Sequence, residues 1–333
     1  MPLVTIAIPT YNRASSLKKL LDRIFAENNH LLGNVLFVWV SDNASTDVTK
    51  EVLASYKGRS GFDYISNPEN IGADLNIASC FASCITEYIW ILGDDDLPMP
   101  GCVSNVVATL RVQRPNLFYI PAKWVNEIEM RDGCHEIKNY KVGFGSARNI
   151  ATRSHIYITF LSSWIVRRAA YVSRPDSDIK RLVGTNLVQL EWHFLLLEQI
   201  GNYAWAENEW IVATAGNSGG YSVLNIFHHN FNKIVLGRFS QDRDLRLFYA
   251  DSMKMLFIPG LIWNMRFESA GEFSSCSVPD MSDTIRDIYR QQWLMRVLVG
   301  QIGLASPRVA RFAKIAASVL GRAWISIQRF KIR

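Results

Sequence analysis

Three carboxylates stand side by side at Asp94, Asp95 and Asp96, directly after an apolar run, Ile89-Trp90-Ile91-Leu92, and Gly93. Pro98 and Pro100 follow. Adjacent carboxylates repel, and repulsion combined with partial burial raises their pKa values, so a positive group must offset the cost. A strand that delivers two or three Asp to a sheet edge suits a hard, oxygen-loving divalent ion, Mg²⁺ or Mn²⁺. Such an ion keeps waters and binds a diphosphate at its remaining positions. It neutralises the diphosphate as a leaving group, and the protein supplies only one or two carboxylates. The plainer reading is a capping Asp followed by two exposed ones, because Asp is frequent where strands end in turns.

Three more polar clusters follow apolar runs in the same way. Thr10-Tyr11-Asn12-Arg13 comes after the run at 3–8, Asp42-Asn43 after Val35–Val40, and Asn67–Asn70 after Phe62–Ile65. Between the runs lie helical patterns. Leu17, Leu20, Leu21, Ile24 and Phe25 share one face, with Ser15 or Ser16 placed to cap it. Asp47 lies near the start of the next helical stretch, where the dipole favours a negative charge. Val103–Val112 reads as helix and Leu117–Ile120 as strand. Strands alternating with helices, and strands that are almost continuously apolar, mark a mostly parallel sheet covered on both faces. Ligands bind beyond the carboxyl ends of such strands. Four polar loops at that one edge make a site. A GxGxxG after the first strand and a GxxxxGK[ST] are both missing, which disfavours a nicotinamide enzyme and a P-loop ATPase.

After Ile120 the alternation breaks. Residues 123–155 are polar and Gly-containing, with "KVGFGSARNIATRSH" the most loop-like part, and suit a mobile segment near the site. "LSSWIVRRAAY" reads as a strand entering a helix, "NLVQLEWHFLLLEQIGN" as a helix, and the chain beyond about residue 222 as mostly helical. The chain has 333 residues, 49% hydrophobic and 20% charged, which predicts one large domain with an appendage or two domains. Five Cys (80, 84, 102, 134 and 276) without a CxxC read as small buried thiols in a reducing compartment. The chain opens directly on Leu3–Ile8, leaving no room for a leader, and no run reaches the ~18 apolar residues of a spanning helix. The expectation is a cytoplasmic protein without a membrane span.

The segments "VTIAIPTYNR", "SDNASTD", "NPENIGADLNIASC" and "WILGDDDLPMP" resemble, in order and spacing, the nucleotide-binding half of family 2 glycosyltransferases of GT-A fold. The match covers roughly residues 3–120. A further likeness through "LSSWIVRR" and "QLEWHFLLLEQIGN" is to the O-antigen sugar transferases of bacterial lipopolysaccharide assembly, the abequosyltransferases among them. The resemblance implies an α/β architecture, a Rossmann-like, mostly parallel central sheet flanked by helices with a mostly helical C-terminal region. It divides the chain into a nucleotide-sugar-binding half at 1–120, an acceptor-binding half at 121–221 and a helical region at 222–333. Pro9, Thr10 and Tyr11 would line the base pocket, with Arg13 near the phosphates. Asp42 would accept hydrogen bonds from base or ribose. Asn70, Gly72 and Asn76 would shape the loop and helix against the nucleoside. The family's metal motif is often Asp-x-Asp-Asp, and its first position here is Gly93. That register makes Asp95 the metal ligand, with Asp94 beside the ribose and Asp96 supporting the divalent ion.

An acceptor hydroxyl needs a general base. By resemblance it is an acid at a helix start well downstream, and Glu191 is the candidate, with a solvated helix Glu as the plain alternative. Asp176 and Asp178 are further candidates. His193 and His155 could bind diphosphate or acceptor, although a lone His more often serves structure. Arg148 and Arg153 could clamp the leaving diphosphate. The outcome by resemblance is an inverting transfer from a nucleotide-diphosphate sugar to a lipid-linked oligosaccharide. The rivals are a sugar nucleotidyltransferase, which should show a Gly-rich triphosphate loop near its start, and a non-catalytic module that binds nucleotide-sugar.

The net charge of +6 is uneven. Ile288–Arg333 holds nine of the 36 basic residues and no acid, which leaves 27 basic against 30 acidic residues before it. In the closing stretch, Val309, Phe312, Ala313, Ala316, Leu320 and Trp324 fall near one helical face, with Arg308, Arg311, Lys314 and Arg322 elsewhere. A basic amphipathic stretch with Trp and Phe reads as a helix for the inner-leaflet membrane surface, or as a helix packed on the core. No recognised nucleic-acid module is present, so nucleic acid is not an expected partner.

Overall fold

Apolar residues of high β propensity build the first strand, β1 (Val4–Thr10), and it becomes the middle of the sheet. The computed structural model describes residues 1–125, 136–137, 139–214, 225–267 and 278–331. The chain divides into two units, one of Met1–Ile150 with Tyr157–Ala215, the other of Ala151–Ile156 with Gly216–Arg333.

In the first unit, β1 is followed by α1 (Ala14–Asn28), β2 (Leu36–Asp42), α2 (Thr49–Tyr56), β3 (Phe62–Ser66), α3 (Ala73–Ser83) and β4 (Tyr88–Ile91). Then come β5 (Leu97–Pro98), α4 (Cys102–Gln113), β6 (Leu117–Tyr119), β7 (Ala122–Val125), β8 (Val142–Gly145) and α5 (Ala147–Ser154), of which 147–150 belong to this unit. β9 (Trp164–Arg167), α6 (Arg168–Val172), α7 (Leu190–Leu197), β10 (Tyr203–Ala206) and β11 (Ile211–Thr214) complete it. The main sheet runs β3-β2-β1-β4-β9-β6-β10-β8, and a small sheet runs β5-β11-β7. β1 pairs parallel with β2 and β4, and β2 with β3, so the carboxyl ends of the first four strands share one edge. The register sets Thr10 opposite Asp42.

β9 enters antiparallel between β4 and β6. An apolar strand carries no mark of its direction, and this insertion has a functional consequence because it brings Ser162 to the Asp triplet. Leu17, Leu20, Leu21 and Ile24 of α1 are fully buried, as their i, i+3, i+4, i+7 spacing requires. Neither Ser15 nor Ser16 caps that helix. It begins at Ala14, whose N–H donates to Asp47 Oδ2 at 3.1 Å, while Asp47 Oδ1 accepts from the Thr49 N–H at 3.0 Å. One carboxylate thus serves the starts of α1 and α2.

The sequence reads Lys141–His155 as loop, and the structure differs. Most of it is β8, which pairs with β10, and α5, so Arg148 and Arg153 lie on a helix. The glycines that suggest a loop serve close approach. A Cβ at Gly143 would run into the Trp205 indole, and one at Gly145 would lie 2.6 Å from Asn149 Oδ1. The rest of the expected mobile segment falls largely on 126–135, outside the described residues, as do Cys134 and Cys276. Cys80, Cys84 and Cys102 are buried and free.

The second unit is helical among the described residues: α8 (Phe231–Arg238), α9 (Arg243–Ser252), α10 (Ile258–Phe267), α11 (Val278–Ile288), α12 (Trp293–Leu304) and α13 (Pro307–Lys331). No described helix is long and apolar enough to cross a membrane. The single stripe expected on α13 splits in two. Ala310, Ala313 and Ala317 are buried, Trp324 stacks on Phe248 at 5.5 Å, and Gly321 lies against the Met255 carbonyl. Val309, Phe312, Ile315, Val319 and Ile327 are exposed, Phe312 by 77%. Small residues let the helix approach its neighbours closely, which leaves the bulky ones outside among the exposed Arg308, Arg311 and Arg322.

Candidate active site

β4 stops opposite Ala7, so the Asp triplet that follows it runs beside the last residues of β1, and the two segments lock to one another. Buried Thr10 donates its hydroxyl to Asp94 Oδ2 at 2.6 Å. Arg13 Nη1 donates to Asp94 Oδ1 at 3.1 Å and to Asp95 Oδ2 at 3.0 Å. The cation that the triplet demands is therefore Arg13, and charge-assisted hydrogen bonds of this kind are the strong ones. Asp96 turns the other way. Its Oδ2 accepts from the Ser162 hydroxyl, which in turn accepts the Gly93 N–H at 2.8 Å. The Ser162 carbonyl accepts from Trp90 Nε1 at 2.7 Å, and Thr214 Oγ1 donates to the Asp95 carbonyl at 3.1 Å.

Burial lifts the Asp94 carboxyl to about 6, with Arg13 pulling it down and Asp95 pushing it up. Burial, then repulsion from Asp95, pushes Asp96 well above the usual carboxylate range despite the Ser162 hydrogen bond. Asp95 is the open member of the three, its side chain 22% exposed against 5% for Asp94. Gly93 is explained by the same packing. A Cβ there would lie 2.8 Å from Asp96 Oδ2 and 3.3 Å from both Asp95 Oδ1 and Ser162 Oγ.

The second cluster lies along β2 and the loop before α3. Asp42 is fully buried, and its Oδ1 accepts the Ser45 N–H at 3.0 Å. Its Oδ2 has no hydrogen-bond partner among the described residues. A buried acceptor left unmet is uncommon enough to require a cause. Asn43 ties the loop together: its Nδ2 donates to Asn70 Oδ1 at 2.8 Å, and its Oδ1 accepts the Ile71 N–H at 3.0 Å. Asn70 Oδ1 also accepts the Gly72 N–H at 2.9 Å, and Gly72 adopts φ 83°, a left-handed conformation that glycine tolerates. Asn76 is spent internally, accepting from the Ser41 hydroxyl at 2.6 Å and donating to the Ser41 carbonyl at 3.0 Å, so it braces the loop. Pro9 is half-buried and Tyr11 is 42% exposed at the mouth of β1.

Glu191 stands outside both clusters. It is on α7, its side chain 2% exposed, with Oε1 3.6 Å from Arg181 Nη1. Arg181 is 40% exposed, so the pair opens to the surface from its side. The neighbouring residues of α7 hold the segment that leads to Ser162. Gln189 Nε2 donates to the Thr159 carbonyl at 2.6 Å, and His193 Nδ1 bonds the Ile158 carbonyl at 3.0 Å. The ring is buried, and burial drives the His193 pKa down to about 3, so it stands as a neutral brace rather than a charged partner for diphosphate. Asp176 pairs with Arg174 at 2.9 Å and Asp178 accepts the Lys180 N–H at 3.0 Å, both local turn contacts. His155 follows α5 with φ 37°.

The structure thus joins Thr10, Arg13, Asp94 and Asp95 in one cluster and Asn70, Gly72 and Asn76 in another. The residues that sequence reasoning misses are Ser162 and Thr214, while Asn43 is placed at the site edge without a role of its own. Among the described residues, no three of His, Cys, Asp and Glu form a metal cage. A caged ion is not what this donor set fits. One open carboxylate at Asp95 fits a hard divalent ion that keeps waters and takes its other ligands from a diphosphate.

The model of glycosyl transferase family 2 matches residues 5–171. Abequosyltransferase RfbV of Salmonella typhimurium is 37% identical over 97 residues, 28% of this chain and 28% of that protein. Validoxylamine A glucosyltransferase of Streptomyces hygroscopicus subsp. jinggangensis is 38% identical over 65 residues, 20% of this chain and 15% of that protein. The chain therefore aligns with less than a third of the length of these curated relatives. The crystal structure of S. aureus TarS 1-349 in complex with UDP-GlcNAc superposes with a TM-score of 0.58 at 14% identity, covering 97% of this chain and 91% of that one. The corresponding UDP complex gives a TM-score of 0.57 at 16% identity over the same shares. These two share the fold. With its family model matched over half its length, across the strands and loops that carry the Asp triplet, the chain belongs to glycosyl transferase family 2.

Proposed function

We propose that the chain is a glycosyltransferase that moves a sugar from a nucleotide-diphosphate sugar to an acceptor hydroxyl with inversion. The observation that carries this reading is the Asp94–Arg13–Asp95 cluster at the carboxyl edge of the sheet, with Asp94 buried and Asp95 and Arg13 open to the surface. Asp42 Oδ2 supports it, because a donated N–H or O–H of a nucleoside would meet this buried acceptor.

Pro9, Thr10 and Tyr11 border the base, Asp94 lies beside the ribose, and Arg13 faces the phosphates. A divalent ion, Mg²⁺ or Mn²⁺, on Asp95 with Asp96 behind it would supply positive charge for the departing diphosphate. Glu191 is the proposed base. It takes the proton of the acceptor hydroxyl as that oxygen attacks the anomeric carbon. The bond to the diphosphate oxygen breaks on the opposite face, and its electron pair leaves with the diphosphate. The acceptor we propose is a lipid-linked oligosaccharide of bacterial surface polysaccharide, which the likeness to an abequosyltransferase supports. The outward apolar and basic face of α13 would rest on the inner leaflet of the cell membrane, with the chain peripheral and on its cytoplasmic side.

A thermal-shift panel tests the donor site: UDP, CDP, GDP and dTDP, each with and without Mn²⁺, on wild type and Asp42→Asn. A nucleotide at 100 times its dissociation constant adds about 2.7 kcal/mol of stability. One base should stabilise the wild type, with a smaller effect on the variant. No shift with any nucleotide would remove the donor reading.

A further inference from the structure

The small sheet carries an aromatic surface that the donor site does not use. Trp124 on β7 is 43% exposed and Tyr157 is 37% exposed. Their rings lie 6.2 Å apart with 26° between planes, and Phe160 sits under Trp124 at 4.7 Å. Large aromatic side chains normally bury themselves, so a pair left open is informative. The pair is also held in place. Trp164 Nε1 donates to the Tyr157 carbonyl at 3.0 Å, and the turn that follows is pinned to α7 through Thr159 and Ile158.

Its location says what the surface faces. β7 pairs with β11 so that Trp124 lies opposite Ala213 and Val125 opposite Thr214. Thr214 donates its hydroxyl to the Asp95 carbonyl. Ser162, two residues past Phe160, clamps Asp96. The segment that bears Tyr157 and Phe160 therefore ends on the Asp triplet, and β11, the strand paired with β7, reaches it through Thr214. The donor cluster, on the loops after β1, β2 and β3, approaches that triplet through Thr10 and Arg13 instead.

We propose that Trp124 and Tyr157 form a stacking subsite for a pyranose ring of the acceptor saccharide. The apolar C–H face of a pyranose carries partial positive charge, and an aromatic face carries partial negative charge, so the two attract while the sugar hydroxyls stay in water. A nucleobase is the less fitting occupant, because the Asp42 cluster already offers a nucleoside its unmet acceptor on the other strands. This inference rests on the glycosyltransferase reading, since only a sugar acceptor gives the platform its task.

Saturation-transfer-difference NMR tests it with the methyl glycosides of glucose, galactose, mannose and N-acetylglucosamine on the full chain. At least one should receive saturation at its ring C–H protons from the wild type. Trp124→Ala and Tyr157→Ala should weaken that binding about tenfold or more, a factor worth 1.4 kcal/mol, and Trp124→Phe and Tyr157→Phe should keep it. No glycoside bound by the wild type, or Ala variants that bind as tightly as wild type, would overturn the platform. The nucleotide panel on the same preparations separates the two readings. Ala variants that lose nucleotide binding as well have damaged the whole site, and the platform falls. Glycoside binding confined to intact rings, in a chain that binds no nucleotide, would keep the platform and remove the donor reading.

Discussion

Exchanging His193 for Gln should flatten the acid response of the fold without touching chemistry at neutral pH. The ring is fully enclosed, bonds the Ile158 carbonyl and tilts against Trp164 at 5.0 Å, and burial lowers its pKa from 6.5 to about 3. Between those two values the unfolded chain holds a proton there that the folded chain refuses. Stability is therefore complete above pH 6.5 and falls as the pH drops toward 3. At pH 5 the deficit spans about 1.5 pKa units, or ~2 kcal/mol. Gln can donate to the same carbonyl, so the variant loses ring contacts worth about 1 kcal/mol at every pH but carries no titrating group. Urea unfolding at pH 7 and pH 5 gives the comparison. The wild type should lose ~2 kcal/mol more than His193→Gln between the two conditions. Equal losses would refute the buried neutral ring and reopen a ligand role for His193.

Three further outcomes follow from the same contacts. Gly93→Ala places a Cβ against Asp96 and Ser162, so it should destabilise the fold by about 1–3 kcal/mol in thermal unfolding. Arg13→Gln removes the cation shared by Asp94 and Asp95. With Arg13 partly exposed, the expected loss is about 1–2 kcal/mol of stability, with nucleotide affinity down about tenfold by calorimetric titration. Replacing Phe312 and Ile315 together by Asp puts charge on the outward face of α13, and flotation with phosphatidylserine-containing vesicles should fall about tenfold. Pure phosphatidylcholine should hold the wild type poorly, since each cation near an anionic surface is worth about 1 kcal/mol.

How much of this was legible depends on distance along the chain. The first four strands and the loops after them follow from local pattern, because an apolar run closed by polar residues is a short-range signal. That pattern also places Thr10, Arg13, Asp94 and Asp95 in loops at one edge, and the structure joins them directly. Ser162 and Thr214 were invisible for the opposite reason. They meet the triplet from 66 and 119 residues away, and a lone hydroxyl leaves no periodic trace. The segment around Gly143 and Gly145 misleads because glycine marks both turns and tight packing, and here Trp205 and Asn149 occupy the missing Cβ positions. On α13, periodicity finds apolar residues but not the inward face. Backbone approach decided that, seating Ala310, Ala313 and Ala317 inside and leaving Phe312 out.

The central claim is sugar transfer from a nucleotide donor at the Asp95 edge. The most direct measurement is release of nucleoside diphosphate from UDP-, GDP-, CDP- and dTDP-sugars, with Mg²⁺ or Mn²⁺ and bacterial lipid extract as acceptor source. Wild type and Asp95→Asn would be compared at matched folding. The account predicts acceptor-dependent release with one donor base and a loss of about a hundredfold or more in the variant, on the order of 2.7 kcal/mol of barrier. Release from no donor, or equal release by Asp95→Asn, would contradict it.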